Sequence, residues 1–387
     1  MSVWSLIDTS CVYIKSPKFC DGRGLDFSPD GKFLSFVERK QCVDSILIID
    51  CATWTTASNF AINMDNVSDA QWSPDSTSIS VTGSENAEGV LVLYSPDGRV
   101  LREYKPAEDD SKVRSSMDAS STAYTGTRCQ KWSSSGSFLA AGCRDRKCRV
   151  LNHVSWRAFA ELAHDDRVVA PATVAVYEET EERLNGIGTL DKKENVLRNN
   201  GNVDPDSEWY DDVWDGDAEG TAVKDPVRVA QRRKKDLQDG KLVPKYVVKS
   251  LPASIPFTGD GASKSPEPSL QSTGVKQCEW SFNDRFLATL DAKTSKAVYV
   301  WDMVNIELCS VLVQMDPVVE FKWDPRGNRL AVITNSERVY VWSPNGASFV
   351  QIPLPQFTPK TLTWNPEGGS FALGDKGTFC VAFLGDT

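Results

Sequence analysis

The run Ala297-Val298-Tyr299-Val300-Trp301-Asp302 reads as a buried strand ending on a Trp-Asp pair. Just upstream, Trp280-Ser281-Phe282-Asn283-Asp284-Arg285-Phe286-Leu287-Ala288 reads as a strand end, a polar turn and the start of a second strand. Together they make one unit, and the rest of the chain repeats it. The turn recurs as Phe27-Ser28-Pro29-Asp30-Gly31-Lys32-Phe33-Leu34, Trp72-Ser73-Pro74-Asp75 and Trp132-Ser133-Ser134-Ser135-Gly136-Ser137-Phe138-Leu139-Ala140. It recurs again as Trp323-Asp324-Pro325-Arg326-Gly327-Asn328-Arg329-Leu330-Ala331 and Trp364-Asn365-Pro366-Glu367-Gly368. The copies begin at residues 27, 72, 132, 280, 323 and 364, so they are spaced by 45, 60, 148, 43 and 41 residues. Three of these spacings fall near the ~40–45-residue period of a WD-type propeller blade, and the other two are one period plus an insertion.

Each turn is followed by a further strand: Ile46–Ile49, Val90–Tyr94, Cys148–Leu151, Val298–Trp301, Val339–Trp342 and Phe379–Phe383. These runs are β-branched and aromatic, and they are apolar at every position rather than alternating. Both of their faces are therefore expected to be buried. Propeller blades meet that demand, because each sheet packs between two neighbours. Pro-Asp-Gly and its variants supply the tight turn between the first two strands. A sandwich with chance self-similarity is the alternative, and six recurrences of one turn argue against it. The expected fold is all-β: a WD-repeat β-propeller with six recognisable four-stranded blades. There is room for a degenerate seventh and for a ring that does not close.

At 387 residues, with 40% apolar content, the chain suits one ring of repeats with a continuous core. The 12 Trp and 16 Phe sit mostly on the repeat pattern, which marks them as core. The 10 Cys stand singly, mostly within strands, and no Cys-x-x-Cys occurs. With only His153 and His164 besides, a zinc site is not expected, nor is a disulfide framework. No signal peptide or membrane-spanning apolar run is evident, so the chain reads as cytosolic or nuclear. Gly-x-Gly-x-x-Gly and Walker-type loops are absent, and the Asp and Glu at turns are explained by turn chemistry. Hence neither a catalytic site nor a cofactor is expected.

The formal charge of −10 is unevenly placed. Residues 178–219 hold 14 Asp and Glu against 4 Lys and Arg, so the remainder is neutral. The propeller thus has no basic excess for nucleic acid.

In chain order, residues 1–163 hold orphan strands (1–18) and blades one to three. Ser2–Leu6 looks like the third strand of a blade, with Cys11–Ile14 as its fourth. Alternatively, Val12–Ile14 would complete the last blade, which stops after its third strand near Phe383. Outer strands are expected at Trp54–Ile62, Val100–Tyr104 and Trp156–Leu162, and a surface loop at Pro106–Tyr124. Ala163-His164-Asp165 stands where many WD repeats carry Gly-His, and Asp145 stands at the turn before a third strand. WD repeats often join such His, Asp and Trp residues by buried hydrogen bonds, so His164 and Asp145 belong with Trp301, Asp302 and Trp342 as a structural signature. A catalytic His would want a nucleophile or metal partner, and none is evident.

Residues 164–272 interrupt the repeats, and 273–387 hold blades four to six. Thr173–Tyr177 and Tyr246–Lys249 would be two strands of the degenerate seventh blade. Between them, 179–243 has the composition of a disordered acidic insertion. Such an insertion costs little stability, since closure entropy grows only logarithmically with length. Trp209, Tyr210 and Trp214 lie in this acidic run, either as a short docking motif for a partner or as linker aromatics that fold back. Arg228–Lys235 is either charge that balances the acidic run or a basic nuclear-import or tubulin-tail patch. Ser265-Pro266 has the form of a proline-directed phosphosite.

The order of blades also resembles a particular family. Cys148-Arg149-Val150-Leu151-Asn152-His153-Val154-Ser155-Trp156 carries the most specific likeness, because Leu-Asn-His-Val replaces the usual strand-ending Trp-Asp. Val12–Lys18, Ala297–Asp302, Phe321–Pro325 and Tyr340–Gly346 agree with it. The chain resembles the WD-repeat protein eight family, the centrosomal and spindle-pole WD-repeat proteins. That resemblance implies a scaffold rather than an enzyme, acting at centrosomes or spindle poles with a coiled-coil partner of the synovial-sarcoma-X-breakpoint-interacting type. It implies help in anchoring microtubule minus ends and, in fungi, tethering of a minus-end-directed kinesin. Two departures stand out: family members carry about three further N-terminal repeats, and the acidic insertion here is longer. The alternative is a generic WD-repeat adaptor, such as a ubiquitin-ligase substrate receptor or a ribosome-assembly factor.

Overall fold

The repeated turn is a set of polar groups that satisfy one another. Ser28 Oγ donates to Asp30 Oδ1 at 2.6 Å and accepts from the Phe33 amide at 2.9 Å, while Gly31 takes φ of 71°. Ser73 Oγ donates to Asp75 Oδ1 at 2.5 Å and accepts the Ser78 amide at 3.0 Å. Ser133 and Ser281 accept the Phe138 and Phe286 amides at 3.1 and 2.9 Å. A serine-led turn with a short polar residue two positions on therefore needs no outside partner to hold two strands antiparallel.

The structure is a computed structural model. It describes residues 2–8, 10–14, 17–19, 24–64, 66–83, 89–105, 126–169, 173–183, 242–257 and 273–385. The expected loop at Pro106–Tyr124, the aromatics Trp209, Tyr210 and Trp214, Arg228–Lys235 and Ser265-Pro266 lie outside the described residues. The chain divides into two compact units, Met1–Glu178 with Val248–Thr387, and Glu179–Val247.

The larger unit is the propeller. Blade one is Leu25–Phe27, Phe33–Lys40, Val43–Asp50 and Thr56–Ala61. Blade two is Val67–Trp72, Ile79–Gly83, Leu91–Tyr94 and Val100–Tyr104. Blade three is Thr127–Trp132, Phe138–Cys143, Lys147–Asn152 and Ala158–Ala163. Blade five is Val318–Trp323, Leu330–Thr334, Arg338–Ser343 and Gly346–Gln351. Within each, successive strands pair antiparallel.

Blade four departs from the expectation. To its own strands (Val275–Trp280, Phe286–Asp291, Ala297–Asp302, Glu307–Val313) strand Ala175–Arg183 adds in parallel through Ala175–Glu178, Ala175 opposite Ser310 and Glu178 opposite Val313. Thr173–Tyr177, expected in a degenerate seventh blade, thus supplies a strand that extends blade four, while Tyr246–Lys249 lies within strand Leu242–Lys249. The outermost strand of blade four offers an unpaired edge, and an edge is satisfied by any strand that can reach it. Blade six has three strands (Thr361–Trp364, Ser370–Gly374, Phe379–Phe383), the stop near Phe383 that the sequence shows. Its third strand breaks the rule of two buried faces. Phe379, Val381 and Phe383 are 75%, 49% and 80% exposed, while the alternate residues pack toward blade five.

At the other end, Ser2–Trp4 pairs antiparallel with Cys11–Tyr13, Val3 opposite Val12. The two segments form a two-stranded sheet of their own, and Val12–Ile14 does not join blade six. Val3 and Ile14 pack over Leu34, Phe36 and Ile49 of blade one.

The core is a series of layers between blades rather than one mass. In blades one, three and four the aromatic that opens the second strand stacks on the Trp that closes the next blade's first strand. Phe33 lies on Trp72 with ring centroids 6.4 Å apart, Phe138 on Trp280 at 6.0 Å and Phe286 on Trp323 at 6.0 Å, all within 20° of parallel. The indoles also reach backward. Trp280, Trp323 and Trp364 Nε1 donate to the carbonyls of Lys131, Glu279 and Lys322 at 3.1, 2.8 and 2.9 Å. The smaller unit is described only at its strand ends, where Thr180 Oγ1 donates to the Lys245 carbonyl at 3.4 Å and Lys245 pairs with Glu182.

Candidate functional site: blade junctions and channel

His164 leaves blade three and enters blade four. Its Nδ1 lies 2.8 Å from the Arg146 carbonyl, an acceptor only, so Nδ1 carries the proton and donates. Nε2 is then an acceptor, and the Thr289 hydroxyl, 2.7 Å away, donates to it. Thr289 Oγ1 in turn accepts the Trp301 indole N–H at 2.8 Å. The imidazole packs edge-on against Tyr299 and Trp301, with centroids at 4.8 and 5.7 Å. Burial lowers the His164 pKa from 6.5 to about 4, which keeps the ring neutral. All three ring and hydroxyl partners are thus used up in holding two blades together. No face of His164 is left for a substrate.

The expected link of His164 to Asp145 is not made. Asp145 Oδ2 instead accepts from Arg149 Nη2 at 2.7 Å within blade three. The carboxylate beside His164 is Asp291, fully buried, which takes Arg146 Nε at 2.8 Å; Arg146 Nη1 pairs with Asp166 at 2.7 Å. Asp302 accepts the Val304 amide at 2.9 Å and caps the turn after the third strand. Trp342 is fully buried and meets Trp323 edge-on at 5.8 Å and 87°. Blade three has Leu151 where blades four and five have Trp301 and Trp342. Trp156, from the following turn, restores the contact, meeting Trp132 at 5.8 Å and 87°.

Sequence reading missed a second ionic knot. Asp44, with no exposed side-chain surface, takes Lys18 Nζ at 2.7 Å, Arg39 Nε at 2.7 Å and the Val67 amide at 2.8 Å. Asn66 Oδ1 accepts from Lys18 at 2.6 Å and from Arg39 at 2.8 Å. Burial works to raise the Asp44 carboxyl, and its Lys18, Val67 and Arg39 donors overcome that to hold it below the ordinary range. The knot ties the segment before blade one to blades one and two. An Asp at the second position of a third strand is the only trace of it in the sequence.

First strands line the central channel of a propeller. A cavity of about 330 Å³ opens there, lined by Asp26, Asp69, Gln71, Trp72, Lys131 and Trp132 among others. Burial raises the pKa of both Asp26 and Asp69. Asp69 accepts Gln71 Nε2 at 2.7 Å, and Lys131 pairs with Glu279 at 3.1 Å, which raises its pKa. These polar groups are paired along or between blades, a pattern of stitching rather than of an acid and a base facing a common void. Among the described residues, no group of three His, Cys, Asp or Glu is arranged to hold a metal ion.

The repeating sheets, the Trp–Phe junctions and the His–Thr–Trp relay define a WD-repeat propeller. The family model of the WD domain, G-beta repeat, matches residues 119–152. Mouse WD repeat-containing protein WRAP73 is 31% identical over 385 residues, which span 99% of this chain and 71% of that protein. The chain therefore belongs to the WD-repeat family that contains WRAP73. A fission-yeast protein, uncharacterized WD repeat-containing protein C32H8.09, is 29% identical over 100 residues, or 26% of this chain and 19% of its own length.

Proposed function

We propose that the chain is a non-catalytic adaptor at the centrosome or spindle pole, binding a coiled-coil partner and helping to anchor microtubule minus ends. WD-repeat proteins are generally scaffolds. The single observation that carries the finer reading is the match to WRAP73 along 99% of the chain, together with the family resemblance of Cys148–Trp156. The physical support is a rim whose turns are held before any partner arrives. In addition to their internal bonds, the turns of neighbouring blades are tied to one another. Asp284 accepts the Ser134 and Ser135 amides at 2.6 and 3.1 Å, and Arg326 pairs with Glu367 at 2.8 Å. A pre-ordered surface loses little entropy on binding. Trp209, Tyr210 and Trp214 remain the proposed docking residues of the acidic insertion, and a minus-end-directed kinesin or microtubules would be reached indirectly.

Proximity labelling in dividing cells, with the full chain beside a form lacking residues 179–243, tests this reading. Recovery of a coiled-coil centrosomal protein by both forms places its site on the propeller, and loss on deletion places it in the insertion. Failure to reach spindle poles in cells where that partner does so overturns the proposal. Recovery of ligase or ribosomal subunits instead favours the generic adaptor.

A further inference from the structure

Four blade junctions share one contact point. The residue three before the closing Trp of one first strand meets the residue two before the closing Trp of the next. Between blades two and three, Asp69 meets the Gln130 side chain. Between four and five, Gln277 Nε2 donates to the Phe321 carbonyl at 3.2 Å. Between five and six, Glu320 Oε2 accepts the Leu362 amide at 2.7 Å. Between three and four, the same point holds two sulfurs: Cys129 Sγ and Cys278 Sγ lie 3.7 Å apart. Gly142 makes this possible, since a Cβ there would stand 2.5 Å from Cys129 Sγ. Where the other junctions set nitrogen and oxygen groups against each other, this one has a pair of thiols in contact.

We propose that Cys129 and Cys278 are an oxidisable pair that forms a reversible disulfide across the junction of blades three and four when the chain meets a hydroperoxide. Cys129 is half-buried and Cys278 buried, so Cys129 reacts first. Its thiol loses a proton to water and the sulfur attacks one peroxide oxygen. The O–O bond breaks, the alcohol (water, for hydrogen peroxide) leaves, and a sulfenic acid remains. The Cys278 sulfur then attacks the Cys129 sulfur, the S–O bond breaks, and water leaves carrying the Cys278 proton. Two thiols and one hydroperoxide give one disulfide, one alcohol and one water; two electrons pass from sulfur to oxygen. The sulfurs must close from 3.7 Å to about 2.05 Å, a side-chain movement between strands already in contact.

The position gives the bond its meaning. Residues 165–272, the one long interruption of the repeats, lie within the loop that a 129–278 bond would close. The described roots of that interruption are already paired, Arg167 with Ser254 and Val168 with Ala253. A disulfide would staple the junction that carries them, and the constraint from a crosslink grows with the length of loop closed. The hydrogen bond with Cys278 and burial both hold the Cys129 thiol well above its ordinary pKa. The Cys129 thiol is therefore protonated at neutral pH, and oxidation accelerates as pH rises.

The test is non-reducing peptide mapping of the full chain after hydrogen peroxide at pH 7 and pH 9. The expected result is one crosslinked pair holding Cys129 and Cys278, formed faster at pH 9 and released by dithiothreitol. Cys278→Ser is expected to stop at a Cys129 sulfenic acid that dimedone captures. The oxidised wild type unfolds at a higher temperature than the reduced chain, and neither Cys129→Ser nor Cys278→Ser shows that shift. The wild-type map stands even where a variant folds poorly. Oxidation of the exposed Cys42 with Cys129 left as free thiol overturns the proposal. So does a link from Cys129 to Cys148, or a 129–278 link that forms only in denaturant.

Discussion

Thr289→Val separates a structural relay from a decorative one. The hydroxyl is the only group that serves both the Trp301 indole and His164 Nε2, at 2.8 and 2.7 Å. Valine keeps the shape and removes the oxygen, leaving a buried donor and a buried acceptor without partners. Each orphaned group costs ~1–3 kcal/mol, so the expected loss for the two is ~2–6 kcal/mol. Trp301→Phe is expected to retain the Thr289–His164 bond and, having no indole N–H, to leave neither orphan. Urea unfolding followed by far-UV circular dichroism at pH 7 measures both. A Thr289→Val chain within ~0.5 kcal/mol of wild type would refute the relay as a source of stability. The pH dependence gives an independent reading. His164 titrates at about 4 when folded and near the ordinary histidine value of 6.5 when unfolded, so the unfolded chain takes the proton first. Stability is therefore complete above pH 6.5 and falls as the pH drops toward 4, by up to ~3 kcal/mol. His164→Gln is expected to flatten this part of the profile; identical wild-type and variant slopes between pH 6.5 and 4.5 would contradict the assignment.

Asp44→Ala strands Lys18 and Arg39 beside a buried void and is expected to cost ~3–5 kcal/mol by thermal or urea unfolding, with Asp44→Asn intermediate. Trp156→Ala is expected to cost ~3–5 kcal/mol, close to the cost of Trp342→Ala, because the two rings make the same contact; a near-neutral Trp156→Ala would show that Leu151 alone suffices. Removing residues 184–241 is expected to leave the unfolding free energy within ~1 kcal/mol, since loop length enters only through its logarithm. A large loss in that experiment would mean that the insertion contributes to the core.

The blades were legible because their signal is local. Ser28, Asp30 and Gly31 need only each other to make a turn, so the turn shows itself in a short window. The partners of His164 were not legible, because Thr289 lies 125 residues away and its role depends on packing. Asp145 misled for the same reason. Its position before a third strand is right, but Arg149 sits one turn of strand away and claims its carboxylate first. Leu151 and Trp156 show the converse. A strand lacking its Trp marks the family in sequence, and the structure shows that the ring contact survived by moving five residues along the chain. The fate of Ala175–Arg183 was beyond sequence, since edge pairing depends on which edge is near and not on the strand's own residues.

The most instructive failure concerns the faces of the terminal strands. Phe27 occupies the position at which the closing Trp of the other first strands stands, yet it is 53% exposed where Trp72, Trp132, Trp280, Trp323 and Trp364 are 4–8% exposed. Phe379–Phe383 is as apolar as Val298–Trp301, yet only one of its faces is covered. Nothing in the residues distinguishes these cases, because in a propeller the burial of a face belongs to the neighbouring blade. An apolar repeat therefore encodes a junction and not a blade, and half of each junction is written between 41 and 148 residues away. The same reasoning explains why the unit of variation is the contact point between first strands. Thiols at residues 129 and 278, where the junctions of blades four to six set an amide or carboxylate side chain against backbone, alter how two blades are joined without altering the strands of either blade. This is where a chain built from near-copies can make one junction behave differently from the rest.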